Sequence, residues 1–229
     1  MRVYADNAAT TYLSDVALNT LLDCLKNYNG NPNSLHTDGQ IAKEKLDESR
    51  EKVAKALNAA KPNEIYFTSG GSEADNQALI SAARGLVKKG KKHLISLNIE
   101  HHAILHTLRK LEKEGFEVTL LKPQPNGIVD VKDVEDAIRE DTALVSIMFA
   151  NNEMGAVQPI AEIGKLCHEK GVLFHTDAVQ AAAHLPIDVQ AMNIDMLSLS
   201  AHKFHGPKGV GVLYARNGIR LINVIEGGA

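Results

Sequence analysis

From Glu64 onward the chain repeats one rhythm, an apolar run of strand length followed by a helical pattern, and few architectures accommodate it. The apolar runs are residues 65–67, 93–97, 118–121, 144–149, 172–175, 196–199 and 210–215. Helical patterns over 74–87, 104–114, 131–140 and 160–169 separate most of them. Runs that are apolar almost throughout fit strands buried on both faces, and the alternation predicts a mostly parallel sheet flanked by helices, an α/β fold. Two helices are expected before the first strand. One carries Ala17, Leu18, Leu21, Leu22 and Leu25 at helical spacing behind a cap at Ser14; the other places Ile41, Leu46, Val53, Ala56 and Leu57 on one face. Residues 1–60 therefore read as an N-terminal helical segment, with no composition shift to mark a boundary, and 1–229 as one domain. Leu221 to Ile225 reads as a further strand, after which Gly227 and Gly228 give turn chemistry, so the chain looks interrupted rather than finished at Ala229.

The 229 residues carry a formal net charge of -3 with both signs interspersed, which argues against a nucleic-acid or anionic-membrane binder. The densest basic run, Lys88 to Lys92, suits a solvated helix end with Gly90 as its stop. No stretch approaches membrane-span length, and Met1 leads into Asp6 with no apolar core of a secretory signal, so a cytoplasmic protein is expected. The 2 cysteines, Cys24 and Cys167, fall on helical patterns and suggest neither a disulfide framework nor a zinc site. They read as inert, partly buried small hydrophobes, and no metal is expected.

In parallel α/β sheets ligands collect beyond the carboxyl ends of the strands, so the residues there deserve inspection. After the first run come Ser69, Gly70, Gly71 and Ser72, a glycine turn opening into a helix. Such a turn exposes backbone N–H groups at a helix N-terminus, where an anion is stabilised; it is equally an ordinary tight turn. After the second come Glu100, His101 and His102, where one imidazole could stack on an aromatic cofactor or face water. Asn151 and Asn152 follow the fourth, and also suit a plain turn. Asp177 and Gln180 follow the fifth. An acid there is costly to bury without a cationic partner such as a protonated pyridine, although it could instead cap the segment beginning at Ala178. After the sixth comes Ser200-Ala201-His202-Lys203, with Gly206, Pro207 and Gly209 beyond, an unusual setting for a lysine. A lysine desolvated there can act as Schiff-base nucleophile and general base; most lysines are surface charges. Together the lysine, the acid and the anion cradle are the three groups a pyridoxal-phosphate enzyme requires, and they occur in chain order at strand ends.

At these residues the chain resembles the cysteine desulfurases that supply sulfur for iron–sulfur clusters, within the aminotransferase-type fold. The similar stretches are Tyr4-Ala5-Asp6-Asn7-Ala8-Ala9-Thr10-Thr11, Asn31-Pro32-Asn33-Ser34 with His36, Phe67 through Glu73, Glu100-His101, Ala150 through Gly155, His175 through Gln180, and Ser200 through Lys203. The resemblance implies an aminotransferase-like large domain binding pyridoxal 5'-phosphate. Lys203 would hold the cofactor covalently and move the substrate's Cα proton; Asp177 would keep the pyridine nitrogen protonated. His101 would stack on the ring and assist proton transfer, and Gln180 would bond its phenolic oxygen. Asn152 would lie against cofactor and substrate. Gly71, Ser72, Ser200 and His202 would receive the phosphate, and Asn7, Ala8 and Thr10 would lie near the substrate. The implied reaction converts L-cysteine to L-alanine, leaving sulfur as an enzyme persulfide, in a homodimer serving an iron–sulfur scaffold or another sulfur acceptor.

The chain departs from the family in length. The small C-terminal domain, with its nucleophilic cysteine and carboxylate-gripping arginine, has no counterpart here, nor has a threonine that completes the partner's phosphate site. Activity of this chain alone is therefore expected to be lacking or nearly so. Two further readings stand beside it: an idle cofactor-binding or dimerisation module, and a related lyase such as a selenocysteine lyase.

Overall fold

Seven strands form one sheet in the computed structural model, which describes residues 1–227. They are β1 (Ile65–Thr68), β2 (His93–Leu97), β3 (Glu117–Leu121), β4 (Thr142–Ser146), β5 (Leu173–Asp177), β6 (Met196–Ser200) and β7 (Gly211–Ala215), in the order β1-β7-β6-β5-β4-β2-β3. Strands β2 to β6 pair in parallel; β7 runs antiparallel between β6 and β1. The expected mostly parallel sheet is what the chain forms. Its central strands β2, β4, β5 and β6 are buried along almost their whole length, as their continuous apolar character requires.

Helices cover both faces. On one, α3 (Gly71–Leu86) and α4 (His102–Lys113) pack Ala74, Ala78, Leu79, Ile104 and Leu108 onto Leu94, Leu144, Met196 and Leu213. On the other, α5 (Val131–Ala137), α6 (Ile160–Lys170) and the end of α2 (Thr37–Ala56) cover Ile95, Val145, Phe174 and Leu197. Each fully buried Leu, Ile or Phe among these contributes about 1.5–3 kcal/mol. The α6–β5 turn closes on Gly171 at φ 65°, a left-handed cap that glycine adopts without strain. The helix α1 (Asp15–Asn27) starts where Ser14 Oγ accepts the Ala17 N–H at 3.2 Å. Its apolar side remains uncovered among the described residues: Val16 is 77% and Leu25 65% exposed.

Three sequence expectations are corrected. Residues 221–225 form no strand. The antiparallel β7 already has β1 and β6 on its two sides, so the following chain has no adjacent edge to join. It lies instead along α3, where Ser81 Oγ accepts the Ile222 N–H at 2.9 Å, Gln77 donates to the Ile222 carbonyl, and Leu221 packs on the core. The 144–149 run leaves regular pairing after Ser146, and the 131–140 helix stops at Ala137 because Ile138 takes extended backbone. Gly228 and Ala229 lie outside the described residues.

Candidate active site

A cavity of about 840 Å³ opens at the carboxyl edge of the sheet, lined from the ends of β1, β2, β4, β5 and β6 and by Asp6, Ala8, Ala9 and Thr10. This is where the strand-to-helix crossovers direct their first residues, and where a parallel sheet holds ligands.

Its first wall is the N-terminus of α3. Gly70 leaves open space above its Cα, and the first helical amides, from Gly71 on, have no acceptor four residues earlier. Two close approaches shape this turn. A Cβ at Gly71 would meet Val179 Cγ2 at 2.7 Å, and one at Gly211 would meet the Gly70 backbone at 2.5 Å. Glu73 steadies the turn by accepting the Ser69 N–H at 2.7 Å. Ser200, at the end of β6, and Ser72 complete the same wall.

The floor is acidic and buried. Asp177 ends β5 and accepts the Val179 N–H at 2.9 Å, leaving its carboxyl on the cavity. Burial pushes this carboxyl above its ordinary range, while the Val179 N–H, His101 and Lys203 pull it down. Asp75, at the start of the second turn of α3, is 1% exposed, and its Oδ1 has no hydrogen-bond partner. Glu100 is buried beside them: Oε1 accepts the Met148 N–H at 2.7 Å and Oε2 has no partner. Burial raises both acids well above the carboxylate range. His175, two residues before Asp177 on the same face of β5, hydrogen-bonds Ser146 Oγ at 2.9 Å and Ser198 Oγ at 3.0 Å. Burial lowers its imidazole to about 3, so the ring is neutral.

Lys203 closes a single 3₁₀ turn, Ala201–Lys203, directly after β6. Its Nζ donates to the carbonyls of Ala8 at 2.5 Å and Ala9 at 2.9 Å. Partial burial lowers this amine, opposed by Asp177 and Asp6, which raises the share of the free base that a Schiff-base nucleophile needs. Residues 8–12 are laced to the same loop: His202 bonds Thr10 Oγ1 at 3.0 Å, and Thr11 donates its N–H to the His202 carbonyl at 2.9 Å. His101 caps α4, with Nδ1 accepting the Ala103 N–H at 3.1 Å, which puts the ring proton of the neutral imidazole on Nε2.

The structure brings Ala8, Thr10, Gly71, Ser72, His101, Asn152, Asp177, Gln180, Ser200, His202 and Lys203 to this one cavity. Asn7 is not among the lining residues; it stays exposed beside Ala8. Gln180 directs its amide to the Ala8 carbonyl at 2.9 Å. Of the two asparagines, Asn151 builds the turn, accepting the N–H groups of Glu153 and Met154, and Asn152 faces the cavity. Sequence reasoning gave no role to Asp75, Glu100 or His175. A histidine and several serines (Ser96, Ser146, Ser198) inside otherwise apolar strands were the available signal.

The family model for class-V aminotransferases matches residues 3–228. The chain belongs to the class-V aminotransferase family. Within it the chain is 56% identical, over 227 residues, to a cysteine desulfurase IscS of Clostridium botulinum, covering 99% of this chain and 57% of that protein. It is 50% identical to a cysteine desulfurase IscS of Methanosarcina thermophila, covering 99% of this chain and 56% of the relative. Among solved structures, a NifS-like protein superposes with a TM-score of 0.95 at 41% identity, covering 100% of this chain and 63% of the other. SspA in complex with cysteine gives 0.94 at 42% identity, covering 99% and 65%. The chain thus spans little more than half the length of the curated relatives it matches.

Class-V aminotransferases of this kind are pyridoxal-phosphate enzymes, and the residues present fit that group. The cradle at Gly70 and Gly71 offers unpaired amides to a phosphate, and among the described residues the buried Asp177 has no lysine or arginine salt bridge to satisfy it. Lys203 stands on the same cavity with its amine partly desolvated.

Proposed function

We propose that this chain is the cofactor-binding large domain, residues 1–229, of a cysteine desulfurase that converts L-cysteine to L-alanine and passes sulfur on as a protein persulfide. The convergence of Lys203, Asp177 and the α3 N-terminus on one cavity carries the proposal. Family membership and the names of the relatives support the choice of substrate.

When bound, pyridoxal phosphate supplies an electron sink for the pair of electrons left as the substrate loses its Cα proton. The chain's own groups then have separable tasks. The amides at Gly71 and Ser72, with Ser200 and His202, bind the phosphate. Asp177 would hold a proton at the pyridine nitrogen, and its burial, at 7% exposure, would strengthen that interaction by lowering the local dielectric screening. Lys203 holds the cofactor covalently and moves the proton at the substrate Cα. His101 lines the same cavity and would lie against the cofactor ring, and its Nε2–H can give a proton there. Gln180 has a flexible amide that can leave the Ala8 carbonyl for the ring's phenolic oxygen. Asn152, Ala8 and Thr10 border the substrate space, with Asn7 beside them.

One observation favours a division of labour. Neither cysteine lines the cavity: Cys167 is buried in α6, where desolvation pushes its thiol up to about 12, and Cys24 lies on α1. On its own this chain therefore handles cofactor and substrate but has no thiolate there to take the sulfur. The complete enzyme would act in the cytoplasm as a homodimer, with the uncovered apolar side of α1 available for packing, and would pass sulfur to an iron–sulfur scaffold or another acceptor. No helix of the described residues is long and apolar enough to cross a membrane.

The test is a titration of the cofactor-loaded chain with amino acids, read by visible absorbance and by sulfide release with added dithiol. A saturable spectral change with L-cysteine and none with L-leucine, at sulfide rates near free-cofactor background, is expected. A spectrum indifferent to L-cysteine would overturn the substrate reading. A sulfide rate matching a full-length relative would overturn the division of labour.

A further inference from the structure

Asp75 is a cavity residue that the chemistry above leaves without a task. It stands at the start of the second turn of α3, a helix that packs on β5, the strand of His175 and Asp177. It is 1% exposed and its Oδ1 accepts no hydrogen bond. His175 Nε2 comes within 3.8 Å of that oxygen, too far for a bond, and is occupied by Ser198. Among the described residues no lysine or arginine forms a salt bridge with Asp75, Glu100 or Asp177. The groups that draw negative charge into this floor, His101 and Lys203, act on Asp177.

We propose that Asp75 is a positioning residue for Asp177: both carboxyls line the cavity floor, and Asp75 fixes the orientation that Asp177 presents to the pyridine nitrogen. The proposal rests on the pyridoxal-phosphate reading of the cavity. Three carboxyls buried together without a bonded cation cannot all ionise. Burial, then the charge of Asp177, and to a lesser degree Glu100, hold Asp75 protonated, while Ser198 pulls the other way. A protonated carboxyl has an O–H to donate, where a carboxylate can only accept. The floor then holds one negative charge, on Asp177, with a neutral acid on its protein side and the cofactor on the other.

Two substitutions separate this from a packing role. Asp75→Asn keeps the shape and a donor without an ionisable group; Asp75→Ala removes both. By fluorescence titration with pyridoxal phosphate, Asp75→Ala weakens binding about tenfold, the worth of one hydrogen bond to a charged group, and Asp75→Asn restores it to within about threefold. The second readout is the unfolding free energy of the cofactor-free chain against pH. A carboxyl held above its unfolded value keeps a proton that the unfolded chain releases above about pH 4, so wild-type stability falls as pH rises from there toward the folded value. Asp75→Asn makes that fall smaller, leaving the share that Glu100 and Asp177 contribute. Asp177→Asn shrinks it and ends it at lower pH, because the neighbouring charge is gone. Wild-type affinity in Asp75→Ala, or an Asp75→Asn variant as weak as Asp75→Ala with an unaltered pH slope, would overturn the proposal. Should the wild type bind no pyridoxal phosphate, the cofactor reading has failed; a pH slope unmoved by Asp177→Asn then rejects the Asp75–Asp177 pair as well.

Discussion

Gly211→Ala adds one methyl at the closest backbone approach in the cavity wall. The new Cβ would sit 2.5 Å from the Gly70 carbonyl carbon, 2.6 Å from its Cα and 2.7 Å from Thr68 Oγ1. Carbon atoms rest about 3.5–4.0 Å apart, so the Gly70 backbone must retreat by roughly an ångström. Because Gly211 pairs with Thr68 and Ser200 in the sheet, its own strand has little freedom to move instead. The overpacking costs about 1–3 kcal/mol of stability. The retreat also drags the first amides of α3 off their aim. Losing one N–H bond to a phosphate costs about 1.5–3 kcal/mol, on the order of ten- to a hundredfold in Kd. Titration with pyridoxal phosphate and with pyridoxal, which lacks the phosphate, isolates the effect: only the first weakens. Gly171→Ala is the control. It meets open space at φ 65°, costs about 1 kcal/mol of backbone strain and lies at the C-cap of α6. It lowers the denaturation midpoint and leaves both affinities unchanged. Unchanged pyridoxal phosphate affinity in Gly211→Ala would refute the claim that the α3 amides hold the phosphate.

Other expectations follow from the same structure. His175 is held down to about 3, so the native ring stays neutral while the unfolded one protonates below about pH 6.5. Its contribution to stability is therefore present above that pH and lost as pH falls toward 3, by up to about 1.4 kcal/mol per pH unit. The wild-type minus His175→Gln difference in urea unfolding checks this; a flat difference from pH 7 to 4 would contradict it. A thiol reagent at pH 8 should modify the half-buried Cys24 in the native chain and reach Cys167 only after denaturation. Rapid native labelling of both would count against the burial of α6. Ser14→Ala removes the hydroxyl that accepts the Ala17 N–H and should cost about 1 kcal/mol, seen as faster hydrogen exchange in the first turn of α1. Unchanged exchange there would show the cap to be idle.

The sheet was legible because its strands announce themselves. Residues 94–97 and 196–200 are apolar or small throughout, and β2 and β6 are buried from end to end, so run length alone located them. The run at 221–225 has the same character and forms no strand, because pairing depends on a free edge, and β7 has none to offer. Position after a strand also revealed Lys203, Asp177, His101 and the Gly70–Gly71 turn, since a parallel sheet sends those residues to one edge. Asp75 was invisible to that logic: it sits inside α3 and reads like any acidic residue of a helix. His175 lies within β5 and reads as part of the strand. Which of residues 7–10 turn inward was equally hidden, because it is decided by the Thr10–His202 bond, made across 192 positions of sequence.

Reduction of the chain with borohydride after adding pyridoxal phosphate, followed by mass-spectrometric mapping, tests most directly whether this chain alone assembles the site. Label confined to Lys203, and abolished in Lys203→Ala, is the predicted result. Label scattered over surface lysines such as Lys88 and Lys165, or no label at all, would contradict it.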